Sequence, residues 1–159
     1  MELKDSGCRR TFESGAVRDV AEDKGRCDLL PLGVLEDICD DRVFGYIEDY
    51  IRTGNKMTLV KAIKEFSKVR YGDLNTAILE VSKHYSDGAK KYSERNWELG
   101  IPLHCYVDSG VRHYLKWRRG DTDEPHDRAF LWNMLGALWT HNYLPDICDL
   151  PFNEGGDRA

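Results

Sequence analysis

Apolar residues along this chain recur at intervals of three and four, in blocks separated by helix-ending residues. Val34, Leu35 and Ile38 form a short first block, with Pro31 near its start and Glu36-Asp37 in its first turn. Asp40 and Asp41 open a second, in which Val43, Phe44, Ile47, Tyr50 and Ile51 keep the spacing until Gly54-Asn55 ends it. Leu59, Ile63, Phe66 and Val69 mark a third, with Thr58 as its N-cap and Tyr71-Gly72 as its stop. A fourth, opened by Asp73 or Asn75, carries Ile78, Val81, Tyr85, Ala89 and Tyr92. Gly88 interrupts that stripe at a cost in helix stability, which close packing or ligand approach would explain. Pro102 begins a fifth, carrying Val107, Val111 and Leu115 and closed by Gly120. In the last, Phe130, Leu131, Met134, Leu135 and Leu138 form a broad apolar face, with Asp123 as its cap.

No segment sustains a period of two, no hairpin turn separates β-branched runs, and no repeat is visible. The pattern predicts an all-α, single-domain helical bundle over residues 28–144. Residues 1–27 lack apolar periodicity and read as an irregular N-terminal arm. Residues 145–159, with Pro145, Pro151 and Gly155-Gly156, read as an irregular tail.

The 159 residues suffice for one continuous core. A formal net charge of -5 argues against a general duplex-DNA binder, which needs a net basic face, but leaves room for a local basic pocket. The five cysteines, Cys8, Cys27, Cys39, Cys105 and Cys148, contain no CxxC pair, so neither a disulfide framework nor a zinc knuckle is indicated and a reducing cytoplasm fits. Met1 to Asp19 has no signal-peptide core, and no apolar run reaches the length of a membrane span.

The chemistry concentrates between Asp87 and Asn133. Arg112 and His113 sit mid-helix, with Asp108 and Lys116 each four residues from Arg112 and Trp117 four from His113. Asp121, Asp123 and Glu124 precede the last helix and His126 lies in its first turn, a set of oxygen and nitrogen donors suited to Mg²⁺ or Mn²⁺. The same acids also serve as helix caps and dipole partners, and Asp108-Arg112 as an ordinary surface pair. Lys90, Lys91, Tyr92, Arg95, Asn96 and Trp97 leave one helix for a loop, where cations meet phosphates and an indole stacks on a base, or where a basic helix end is merely solvated. Trp132 and Trp139 read as core by their periodicity, and Asn133 as a polar residue that orders the site.

Three groups of motifs carry a resemblance: Ser14-Gly15-Ala16-Val17-Arg18-Asp19 with Lys24-Gly25-Arg26 and Asp28-Leu29-Leu30-Pro31; Gly88-Ala89-Lys90-Lys91-Tyr92 with Arg95-Asn96-Trp97 and Gly100; and Arg112-His113, Trp117, Gly120-Asp121, Asp123 and His126. They resemble the phage family of dATP/dGTP diphosphohydrolase N-terminal domains, small helical proteins related in activity to the MazG-like nucleotide pyrophosphohydrolases. The resemblance implies cleavage of a purine deoxynucleoside triphosphate to monophosphate and pyrophosphate with Mg²⁺ or Mn²⁺, trimming the host nucleotide pool during infection. It also implies association into a homo-oligomer. The paired ExxE and ExxD acids of MazG-type enzymes are missing at the corresponding helices; Glu80 has no acidic partner three residues away.

In the site so implied, Asp123, Glu124 and His113 or His126 hold the metal, and the remaining histidine is the base. Lys91, Arg112 and Lys116 neutralise phosphates, Tyr92, Asn96 and Trp97 hold sugar or base, and Arg18, Lys24 or Arg26 close from the arm. Two other functions fit the same residues. One is a histidine-aspartate metal phosphohydrolase built on His126-Asp127, with His113 before it and Asp146 after it. The other is an accessory phage protein that binds a nucleotide or a protein without turnover.

Overall fold

A computed structural model describes residues 9–153; Cys8 and Gly155-Gly156 lie outside them. Among the described residues, six helices carry the fold: α1 (Leu32–Cys39), α2 (Arg42–Thr53), α3 (Lys56–Tyr71), α4 (Leu74–Lys91), α5 (Leu103–Arg119) and α6 (His126–Tyr143). The all-α expectation holds, with one small addition. Strands β1 (Arg9–Thr11) and β2 (Val17–Asp19) pair antiparallel, with Arg10 opposite Arg18, so residues 9–19 of the expected irregular arm form a hairpin. Its turn closes through Gly15 N–H to the Phe12 carbonyl at 2.9 Å, with Gly15 at φ +91°. That positive φ suits a glycine-bulged hairpin loop, whose signal in the sequence is Ser14-Gly15 and not an alternation of residues.

The helix starts follow side-chain chemistry. Asp41 accepts from Val43 N–H at 3.0 Å, and Asp73 from Thr76 N–H at 2.7 Å. The cap of α3 is Asn55, which accepts from Met57 N–H at 3.1 Å. Thr58 lies inside that helix, its hydroxyl donating to the Asn55 carbonyl at 2.8 Å. At α6 the expected cap is also displaced. Pro125 precedes the helix, and Asp123 bonds to the His126 side chain.

Phe44, Ile47, Tyr50, Phe66, Tyr106, Phe130 and Met134 are fully buried, each contributing roughly 1.5–3 kcal/mol by leaving water. In the short α1 the buried residue is Leu32, with Leu35 and Cys39 partly buried against the core, while Val34 and Ile38 are exposed on the other face. Residues 145–153 are also packed more closely than an irregular tail would be. Cys148 and Leu150 are buried, Phe152 sets its ring 5.4 Å from that of Tyr50, and Asp149 accepts from His104 N–H at 2.8 Å. Among the described residues no helix is long and apolar enough to cross a membrane.

Helices α5 and α6 approach most closely where glycines remove side chains. A Cβ at Gly136 would stand 2.3 Å from Tyr106 Cε1, and one at Gly110 would stand 2.5 Å from Met134 Cε. The Tyr106 ring is fully enclosed, whereas the Met134 methyl is the end of a flexible chain. Gly136→Ala should therefore destabilise the fold by about 1–3 kcal/mol, the range for overpacking, and Gly110→Ala by less. Urea unfolding checks this, and an unchanged midpoint for Gly136→Ala would contradict the close approach.

Candidate functional site

The hairpin is fastened over the open end of α4, α5 and α6 by one amide. Asn96, in a 3-10 turn at Asn96–Leu99, accepts from Val17 N–H and donates to the Val17 carbonyl, both at 2.9 Å. Both ends of that side chain bond the strand, so Asn96 positions the hairpin. Ser14 adds a hydroxyl bond to the Gly100 carbonyl.

Clamped in this way, β2 directs Arg18 into the interior. Its guanidinium donates to the Cys105 carbonyl at 3.4 Å and to Asn133 Oδ1 at 3.2 Å. It also lies 5.7 Å from the Tyr106 ring centroid and 5.5 Å from that of Trp132. Its partners in the protein are neutral dipoles and aromatic faces, and burial pulls its pKa down. A half-buried cation held by neutral groups gains when an anion joins it. The neighbouring Asp19 faces the other way in function: it binds Arg9 at 2.9 Å, Lys91 at 2.7 Å and the Tyr92 hydroxyl at 3.3 Å.

The cleft so formed opens to solvent and is lined by residues of the hairpin, the Asn96 turn, α4, α5 and α6. Among the described residues, seven cationic side chains line it, namely Arg10, Arg18, Lys24, Lys91, Arg95, Arg112 and Lys116, with Asp19 and Glu124; of the seven, Lys91, Arg95 and Arg112 are paired with Asp19, Glu98 and Asp108. In a chain of net charge -5 this is a strong local reversal. Arg112 donates to Asp108 at 2.6 Å and to the Gly25 carbonyl at 2.9 Å, which leaves its Nε buried without a partner. Asp108 also accepts from Cys27 N–H at 2.7 Å, tying the loop after the hairpin to α5. Lys24 is pulled below its ordinary pKa, by burial first.

At one side of the cleft, α5 presents His113 to His126 at the start of α6. Their Nδ1 atoms are 2.9 Å apart, and His126 Nε2 is 2.7 Å from Asp123 Oδ1. Asp123 thus fixes the His126 tautomer, with Nε2–H donating to the carboxylate and the Nδ1 lone pair facing His113. Burial first, and His126 second, hold the His113 pKa well below its usual value, so this imidazole is neutral. Donor atoms of His113, Glu124 and His126 lie within 4.8 Å of one another, as do those of Asp121, Asp123 and His126.

The first set fits a divalent cation better. Two neighbouring ligands at about 2.1 Å from a six-coordinate ion stand roughly 3 Å apart, close to the observed nitrogen separation. A carboxylate on the far nitrogen is also the usual support of a ligating histidine. In the second set Asp121 is already bound bidentately by Arg119. Asp123 stands where it supports His126 through Nε2.

Of the residues singled out from sequence, Arg18, Lys24, Lys91, Tyr92, Asn96, Trp97, Arg112, His113, Lys116 and Glu124 line the cleft. His126 is 2 % exposed behind His113. Arg26 is not brought in: its guanidinium is bidentate to Asp28 at 2.8 and 2.7 Å. Trp97 stands edge-on to Tyr85 and Trp139, with Arg95 over its ring, so its faces are largely engaged. The histidine-aspartate pair does not assemble. Asp127 turns to α3, where it accepts from Arg70 at 3.0 Å and Tyr71 at 2.9 Å, and Asp146 is exposed. Sequence reasoning missed Arg10, Asp19 and His84, and it read Trp132 as core although its ring borders the cleft. For His84 the available signal was its place one helical turn before Gly88.

The family described as dATP/dGTP diphosphohydrolase, N-terminal, matches residues 53–147. This is more than half of the chain, and it spans α3 to α6 with His113, Glu124 and His126 but not the hairpin. Among curated proteins and solved structures, none matches the chain.

The donor geometry makes a direct prediction. Mn²⁺ titrated into the protein and followed by electron paramagnetic resonance should bind at one tight site. Glu124→Gln should remove most of that binding, and Asp123→Asn should weaken it about 10–100-fold through His126. Equal affinity in wild type and both variants would show that the cluster holds no ion.

Proposed function

The chain belongs to the dATP/dGTP diphosphohydrolase N-terminal family, and from that premise we propose that it hydrolyses dATP and dGTP to the monophosphate and pyrophosphate at this cleft, with a divalent metal. The observation that carries the proposal is the charge of the cleft: among the described residues seven cations line it, with Asp19 and Glu124, beside a cluster of two imidazoles and a carboxylate. Polyphosphate is the ligand class that such an excess accommodates, because an attacking water must approach a centre already surrounded by negative oxygens.

His113, Glu124 and His126 would hold the ion, which when bound supplies Lewis acidity at phosphate oxygens and activation of water. Imidazole-rich donors favour Mn²⁺ over Mg²⁺, which prefers oxygen ligands. Lys24, Arg112 and Lys116 line the same cleft as Glu124. They would neutralise the β- and γ-phosphates and stabilise departing pyrophosphate. Water attacks the α-phosphorus, the bond from that phosphorus to the bridging oxygen breaks, and Glu124 accepts the proton. Arg18 meets the substrate's negative charge from within and gains the anionic partner it otherwise lacks. Asp19 keeps Lys91 extended across the cleft wall. Such an enzyme would drain purine deoxynucleotides from a cytoplasmic pool, as suits a phage protein during infection.

Purified protein should release pyrophosphate from dATP and dGTP faster than from dCTP or dTTP, and EDTA should abolish the release. Lys24→Gln and Lys116→Gln should each raise KM for both purines, an effect that shrinks as salt rises because these side chains reach solvent. Turnover indifferent to EDTA, or a KM unmoved by either substitution, would overturn the assignment of this cleft.

A further inference from the structure

Gly88 lies in the interior of α4, where glycine is costlier than alanine, so something should require it. No protein neighbour does. A Cβ built at Gly88 meets nothing within 4 Å, yet the residue lines the cleft, so a side chain there would project into open cleft space. One turn earlier on the same face of the helix stands His84. It also lines the cleft and is 7 % exposed, and its Nδ1 is buried without a hydrogen-bond partner. Leaving a buried polar atom unpaired carries a penalty that a ligand can relieve. Trp132 completes the enclosure, its ring centroid 6.2 Å from that of His84 and 6.0 Å from that of Tyr85.

We propose that the His84-Gly88 face of α4, opposed by Trp132, is the base subsite, in which the His84 ring turns its buried Nδ1–H toward the cleft to donate to N7 of a purine. This rests on the reading of the cleft as a purine deoxynucleotide site and assigns the part of it that distinguishes bases. N7 is an acceptor common to adenine and guanine and is absent from cytosine and thymine. One donor therefore serves both purines and neither pyrimidine. Burial holds the His84 pKa down to about 4, so the ring is neutral at neutral pH and can carry a single proton on Nδ1. The missing side chain at Gly88 leaves room for the larger bicyclic base against the helix. Trp97, wedged between other rings, supports this wall from behind.

The test compares dGTP and dATP with their 7-deaza analogues, which keep size and stacking but replace N7 with C–H. Dissociation constants are measured by tryptophan fluorescence without metal, alongside turnover with Mn²⁺. Wild type should bind each parent about tenfold better than its analogue, as expected for one hydrogen bond to a buried group. His84→Leu should abolish that difference, while His84→Asn, which places an amide N–H near the Nδ1 position, should retain it. Gly88→Leu should weaken parents and analogues alike without lowering Tm. Parents and analogues bound equally by wild type, or a difference that survives in His84→Leu, would overturn the subsite. If the parent-analogue difference appears in binding but no nucleotide is turned over, the hydrolase reading fails and the subsite stands. Turnover without the difference has the opposite meaning.

Discussion

The site depends on how closely α5 and α6 approach one another. Gly136 admits the Tyr106 ring and Gly110 admits the Met134 methyl, and this lack of side chains sets the distance between the two backbones. At that distance His113 meets His126 with nitrogens 2.9 Å apart. The Arg112 side chain, one residue before His113, emerges on the adjoining face and is steadied by Asp108 one turn back. Were the helices separated by another methyl group, the histidines would lose contact and the donors of Glu124 and His126 would no longer converge with those of His113. A packing constraint inside the core thus sets the chemistry at its edge.

Electrostatics then divides the molecule. The chain as a whole is acidic, yet among the described residues its cleft is lined by seven cations, with Asp19 and Glu124. Most charges elsewhere are paired locally, such as Arg119 with Asp121, Arg26 with Asp28 and Arg70 with Asp127. In the cleft, Arg18 has neutral acceptors and aromatic faces in place of a carboxylate. Holding it there takes the hairpin, the two-point clamp of Asn96 and the Asn133 amide, all of which restrict its freedom before any ligand arrives. Such an arrangement favours binding of an anion over stability of the empty protein, and it lowers the ordering cost of recognition.

The helical core was legible because the blocks keep a helical period and several are bounded by a glycine stop or a capping acid, as at Gly54, Gly72, Asp73 and Gly120. The hairpin was not, since three-residue strands are too short to show alternation and its one local cue, Ser14-Gly15, is equally a loop signal. Much of the candidate site could be named from residue type and clustering, including Lys91, Arg112, His113, Lys116, Glu124 and His126. Roles were harder to read than membership. Asp123 reads in sequence as a helix cap or a ligand, and its bond to His126 adds the role of support; Asn96 reads as a ligand contact, and both ends of its amide bond Val17. Arg26 and Lys24 are equally basic in sequence, but only the partner at Asp28 separates them. His84 gave no signal apart from its spacing to Gly88, because a lone histidine in an apolar stripe is usually core.

The central claim is that one cleft holds metal, phosphates and purine together. Its most direct test is a crystal structure with Mn²⁺ and the α,β-imido analogue of dGTP, using the anomalous signal to locate the ion. The account predicts a manganese peak bonded by His113, Glu124 and His126, the triphosphate against Lys24, Arg112 and Lys116, and the guanine over Gly88 facing Trp132. Nucleotide bound outside this cleft, or manganese held by Asp121 and Asp123 away from the phosphates, would contradict it.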